Sequence, residues 1–92
     1  MVIIEYDQAK SDATYKNRGL DFARAFEVFA GNYFTGPDTR LNYDEPRFLT
    51  VGYIDSRLVI LVWTPRGEVR RIISMRKANA REKAIYAKEL DR

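Results

Sequence analysis

Between residues 47 and 76 the chain carries three strand-like stretches joined by very short connections, and this run constrains its fold more than anything else. Residues 47–54 alternate Leu49, Val51 and Tyr53 against Phe48, Thr50 and Gly52. Residues 58–64 are apolar throughout, as in a central strand buried on both faces. Residues 69–76 form the third stretch. The links Asp55-Ser56-Arg57 and Pro65-Arg66-Gly67-Glu68 are of hairpin length, so the three strands should form an antiparallel meander.

The flanks supply the helices. Val2 to Tyr6 reads as a short strand rich in β-branched residues. Asp7 follows as an N-cap for a helix reaching about Lys16, and Gly19 suits a left-handed C-terminal turn. Asp21 starts a second helix, in which Phe22, Ala25, Phe26 and Phe29 fall at i, i+3, i+4 and i+7. That spacing predicts one buried face, packed on Leu49, Val51 and the 58–62 strand. Residues 31–46 are irregular, with room for a loop and one short edge strand. Asn79 and Glu82 resemble a capping box opening a last helix to about Leu90. The expected order is strand, two helices, three or four strands, helix. That is an α+β domain with a mainly antiparallel sheet and helices against one face. At 92 residues, a single domain spanning 1–92 is expected.

The formal charge is only +3, but its distribution is uneven. From Arg66 to Arg92 there are nine Lys/Arg against four Asp/Glu, a net of +5. Residues 1–65 hold seven against nine, a net of −2. Positive potential gathered in the last strand and helix suits a polyanion, although a solvated basic helix has the same composition. Cysteine and histidine are both absent, which removes disulfides, thiolate metal sites and the commonest general base. No metal and no cofactor are expected. No apolar run approaches a membrane span and no signal peptide precedes the first strand, so the expected location is the cytoplasm.

The cations concentrate in Arg70, Arg71, Arg76, Lys77 and Arg81. Guanidinium groups present planar forks of donors that match phosphate oxygens. Strict alternation places Val69, Arg71, Ile73 and Met75 on one face, and Arg70, Ile72, Ser74 and Arg76 on the other, open one. A β-bulge would carry Arg71 across. Pairing with Glu5, Glu68 or Glu82 is the structural alternative to phosphate binding. Trp63, near the end of its strand, is either a core residue or a platform for a nucleobase.

Four blocks resemble the BrnT family of RelE-like toxins: Glu5 to Lys10, Gly19 to Phe22, Arg47 to Gly52, and Arg71 to Ala78 with Arg81, Glu82 and Tyr86. The family pattern also has Asn-x-x-Lys-His-Gly closing the first helix. Here Thr14 stands at the Asn position, Asn17 at the Lys position and Arg18 at the His position. The resemblance implies a RelE-like fold and an mRNA endoribonuclease of a type II toxin–antitoxin system, acting on or off the ribosome. It further implies a BrnA-like antitoxin with a ribbon-helix-helix part, whose complex with the toxin binds operator DNA. Arg71 and Arg76 match the family motif directly. Lys16 and Arg18 keep positive charge at the altered turn, where the helix C-terminus alone would favour it.

Cleavage of RNA by its own 2′-hydroxyl needs a base, charge stabilisation at phosphorus and a proton for the leaving oxygen. Arginines suit the stabilising role, giving catalytic candidates Lys16, Arg18, Arg71 and Arg76. Lys10 or Lys16 is the candidate base, and Glu82 or Tyr86 an alternative proton carrier. Lys10, Trp63, Arg70, Ser74, Lys77, Arg81 and Tyr86 are candidate RNA contacts. The altered turn leaves a second expectation open: a non-catalytic basic module that binds RNA or an acidic protein.

Overall fold

A computed structural model describes residues 2–91. The elements run β1 (Ile3–Tyr6), α1 (Gln8–Arg18), a 3₁₀ turn (Phe22–Arg24), α2 (Ala25–Ala30), β2 (Tyr33–Pro37), β3 (Phe48–Ile54), β4 (Arg57–Arg66), β5 (Val69–Lys77) and α3 (Ala80–Leu90). The five strands form one mixed sheet in the order β1-β5-β4-β3-β2. β3, β4 and β5 are the expected antiparallel meander, β2 adds an antiparallel edge, and β1 pairs with β5 in parallel. β4 is central, and residues 58–64 are all buried.

Local chemistry accounts for the boundaries. The Asp7 carboxylate accepts the Lys10 amide at the start of α1, and Gly19 ends it at φ 71°. Asp55 and Ser56 both have positive φ in the two-residue loop between β3 and β4, as a twist-matched hairpin requires. Asn79 and Glu82 form a complete capping box on α3.

Two clusters fill the two faces of the sheet. Phe22, Ala25, Val28 and Phe29 pack on Ile54, Val59, Leu61, Trp63, Ile72 and Met75 on one face. On the other, Leu90 and Tyr86 of α3 meet Leu49, Val51, Leu58 and Ile60. Helices therefore cover both faces, not one. Leu49 and Val51 belong beneath α3, because their strand neighbours Phe48 and Ile54 face α2.

The phenylalanine stripe is also revised. Phe22 is 1% exposed but Phe26 is 54% exposed. The Asp21 cap starts a 3₁₀ turn, whose three residues per turn change the phase and bury Val28 in place of Phe26. α2 then lies close on β3 at Gly52, where an added Cβ would come within 2.6 Å of Val28 Cγ1.

Candidate nucleic-acid interface

The register of β5 against β4 sets the positions of the arginines. Val62 pairs with Ser74, but Trp63 pairs with Ile72, so Ile73 is an extra residue in a bulge. Ile72 and Met75 consequently share the α2 face despite their odd spacing. Arg76 sits opposite Ile60, Ser74 opposite Val62 and Arg71 opposite Thr64, all on the α3 face. The bulge thus brings Arg71 to Ser74 and Arg76 and sends Arg70 to the opposite side. There the Arg70 guanidinium lies 4.6 Å from the ring centroids of both Phe29 and Trp63. It packs as a cation on aromatics and makes no ion pair with Glu68.

Trp63 is core. It is 7% exposed, stacks on Phe48 at 5.0 Å and donates from Nε1 to Thr50 Oγ1 at 2.8 Å. No ring face remains open to a base.

The arginines of the α3 face have acidic neighbours. Arg76 donates from Nη1 and Nη2 to the two oxygens of Glu82 at 2.7 and 2.8 Å. The same carboxylate accepts the Asn79 amide at 2.9 Å. Arg76 and this helix-capping contact hold Glu82 well below the usual carboxylate range, at about 2. Arg71 lies 3.6 Å from Glu5, too long for a hydrogen bond. Arg81 and Lys77 are exposed, Lys77 at the end of β5 and Arg81 in the first turn of α3. The Tyr86 ring is half-buried and stacks on Phe34 at 5.8 Å.

Beyond Ile72, β5 extends past its pairing with β1. α1 lies beside this stretch, and a cleft of about 360 Å³ opens between them, lined by Lys10, Ala13, Thr14, Asn17, Arg18, Phe22, Ile73 and Ser74. The α1 residues recur at i, i+3, i+4, i+7 and i+8, one stripe of the helix. Arg18 Nη1 crosses to the Met75 carbonyl at 3.1 Å. Lys16 is not in the stripe; six residues beyond Lys10 place it about 240° round the helix. The structure therefore gathers Lys10, Arg18 and Ser74 in one cleft and Ser74, Arg71 and Arg76 on one face, and leaves Lys16, Arg70 and Trp63 outside both.

Nothing in the residue pattern singled out Arg40. Its loop closes through the Asp38 amide, which donates to the Arg47 carbonyl at 2.8 Å, and lines a cleft of about 520 Å³ spanning residues 37–48. The Asp38 side chain is 1% exposed and is matched to Arg40 at 2.8 Å. A buried acid in an irregular segment was the signal available, but burial there is not visible from periodicity.

The family model for the ribonuclease toxin BrnT, of type II toxin–antitoxin systems, matches residues 6–82. The chain belongs to the BrnT family. No curated protein matches it. The matched span runs from the end of β1 into the first turn of α3 and includes every cleft-lining residue. Membership makes the chain a ribonuclease toxin by family, and a type II system pairs such a toxin with an antitoxin. Thr14, Asn17 and Arg18, the positions that depart from the BrnT turn pattern, all line the α1–β5 cleft. Among the described residues no helix is long and apolar enough to cross a membrane.

Proposed function

We propose that this chain is a cytoplasmic endoribonuclease that cuts mRNA without a metal and is silenced by a ribbon-helix-helix antitoxin, whose complex with it binds operator DNA. The observation that carries the reading is the BrnT match over residues 6–82, which takes in the whole cationic cleft between α1 and β5. An RNA strand crossing Ser74 would reach Lys10 and Arg18 on one side. Arg76, two residues along the strand, would be about 6–7 Å away on the other. The 2′-oxygen attacks phosphorus as Lys10 takes the hydroxyl proton. The bond from phosphorus to the 5′-oxygen then breaks, that oxygen takes a proton from water, and a 2′,3′-cyclic phosphate is left. Arg18 and Arg76 stabilise the added negative charge, a role typically worth about 3 kcal/mol per positioned donor.

The second reading, a non-catalytic module that binds RNA or an acidic partner, is favoured by one feature of the same cleft. Asn17 occupies the position of the family's lysine, and Arg18 commits a donor to Met75.

Expression in a host lacking the antitoxin, together with incubation of the purified protein with RNA in chelator, tests both readings. Growth arrest with RNA ending in a cyclic phosphate supports the enzyme. Normal growth with intact RNA that nonetheless binds the protein supports the module. Cleavage that requires added metal would defeat attack by a 2′-oxygen activated by Lys10 alone.

A further inference from the structure

Arg47 is an arginine that packing alone does not explain. Its Nε is buried without a hydrogen-bond partner. Among the described residues no carboxylate lies within ion-pair distance of its guanidinium. That group lies 4.1 Å from the centroid of the Tyr43 ring, which holds it in place. Tyr43 in turn donates from its hydroxyl to the buried Asp38 carboxylate at 3.4 Å. An orphaned donor disfavours arginine at a purely structural position, since methionine would cover the same ring with no unpaired N–H.

The acids around Arg47 are engaged elsewhere or stand apart. Asp38 is paired with Arg40, and Glu45 lies 3.5 Å from Arg66. Asp44 shares a second cleft of about 450 Å³ with Arg47, but it is exposed and beyond ion-pair distance. Arg47 is therefore the cation left without a counter-charge in the 520 Å³ cavity of residues 37–48, a size that suits a small ligand. Beside it in that cavity are Leu41, 69% exposed, and the exposed amide of Asn42. A cation suits a phosphate; an apolar surface and an amide that both donates and accepts suit an unpaired base.

The sheet register ties this cavity to the arginines of β5. Phe48 pairs with Trp63, and Thr64 pairs with Arg71. Arg47, one residue before Phe48, thus stands across from Thr64, and alternation puts it on the face that carries Arg71. With only β4 between them, the Cα atoms of Arg47 and Arg71 are about 10 Å apart. Both ends of the loop are fixed there. Thr64 Oγ1 donates to the Pro46 carbonyl at 2.7 Å, and the Asp38 amide donates to the Arg47 carbonyl at 2.8 Å.

We infer that the 37–48 loop is a second RNA subsite, which takes one unpaired nucleotide of a strand that crosses Arg71. The phosphate goes to Arg47 and the base lies against Leu41 and Asn42. This rests on the proposal that the chain takes RNA, and adds a place that holds the strand away from the α1–β5 cleft.

The test is the affinity of 2′-O-methyl RNAs of about two to eight nucleotides, which cannot be cut, for the parent, Arg47→Met and Asn42→Ala. In the parent, affinity should rise in a step of about tenfold at the length that reaches the loop, as one charge-assisted contact gives. Arg47→Met should abolish the step and leave the shortest RNAs bound as in the parent. It should also lower the salt dependence of the longer ones by about one counterion. Asn42 is exposed, so Asn42→Ala keeps the fold and should reduce the step. A parent series without a step, a step that Arg47→Met retains, or an equal loss at every length overturns the subsite. Should Arg47→Met fail to fold, Asn42→Ala decides, and an unchanged step overturns it. A parent that binds no RNA overturns the subsite and the RNA reading together. Unmodified RNA is assayed separately. A step abolished by Arg47→Met in a parent that never cuts keeps the subsite and loses the ribonuclease reading, whereas cleavage without a step keeps only the latter.

Discussion

Arg18, the last residue of α1, donates from Nη1 to the backbone carbonyl of Met75 at 3.1 Å. β1 stops pairing at Ile72, and a side chain 57 positions away in sequence satisfies a carbonyl of the strand beyond it. The same arginine lines the candidate cleft. Arg18→Ala should therefore cost about 1 kcal/mol of stability by loss of this bond, in addition to weakening RNA binding. Urea melts give the first number and RNA titration the second. A variant with parental stability would show that the bond contributes nothing.

Phe22 and Phe26 separate the buried from the exposed side of the second helical segment. Phe22→Ala should cost about 3–5 kcal/mol, because its site is closed by Tyr6 and the helix-face core. Phe26→Ala should stay within about 0.5 kcal/mol of the parent, since most of that ring is already in water. Thermal melts that ranked the two the other way would contradict the 3₁₀ start of this segment.

The meander, the caps of α1 and α3 and the central place of β4 were legible because each depends on local chemistry: alternation, hairpin length, or a carboxylate or amide beside free backbone groups. Ile73 shows where legibility ended. The preceding residues Arg70, Arg71 and Ile72 change sides relative to Ser74 and Arg76 only through the register with β4, and a bulge leaves no mark in the residue pattern. Phe26 was misplaced for a related reason, since Asp21 caps a 3₁₀ turn as well as it caps an α-helix. α3 was expected on the same face as the other helices because its own sequence states which residues are apolar, but not which side of a two-sided sheet receives Leu90. The turn at Thr14, Asn17 and Arg18 drew attention through the family pattern. That these residues share a stripe with Lys10 is simple helical arithmetic, whereas the Ser74 side of the cleft needed the tertiary structure.

Glu82 and Asp38 are carboxylates held down to about 2 by their arginines, from 4.5 and 3.8 respectively. The sign is fixed by the direction of the shift. A carboxylate whose folded-state value is depressed adds stability that is fully present above its unfolded value and is lost as pH falls toward the folded one. Stability should thus hold at neutral pH and decline from about pH 4.5 toward pH 2, as Arg76 and Arg40 lose their partners. Glu82→Gln keeps a capping side chain on α3 but has no charge to titrate, so its melting point should fall less over that window. A parent and a Glu82→Gln variant with parallel acid profiles would show that the Arg76 pair does not contribute.

Asn17 gives the sharpest test of the cleft. It lines the cavity just before the Gly19 stop, on the same helical stripe as Lys10. The side chain is exposed, so Asn17→Lys should leave stability within about 0.5 kcal/mol. Any small gain would come from a positive charge at a helix C-terminus. If phosphate passes through this cleft, the added ammonium should steepen the salt dependence of RNA binding by about one counterion. If the family's lysine acts on the reaction itself, cleavage should rise by about tenfold or more. Lys16→Ala provides the control: that side chain is on the far side of α1, and its loss should leave binding and cleavage close to parental. The opposite pattern, with Asn17→Lys silent and Lys16→Ala inactive, would move the chemistry out of this cleft and round to the other face of the helix.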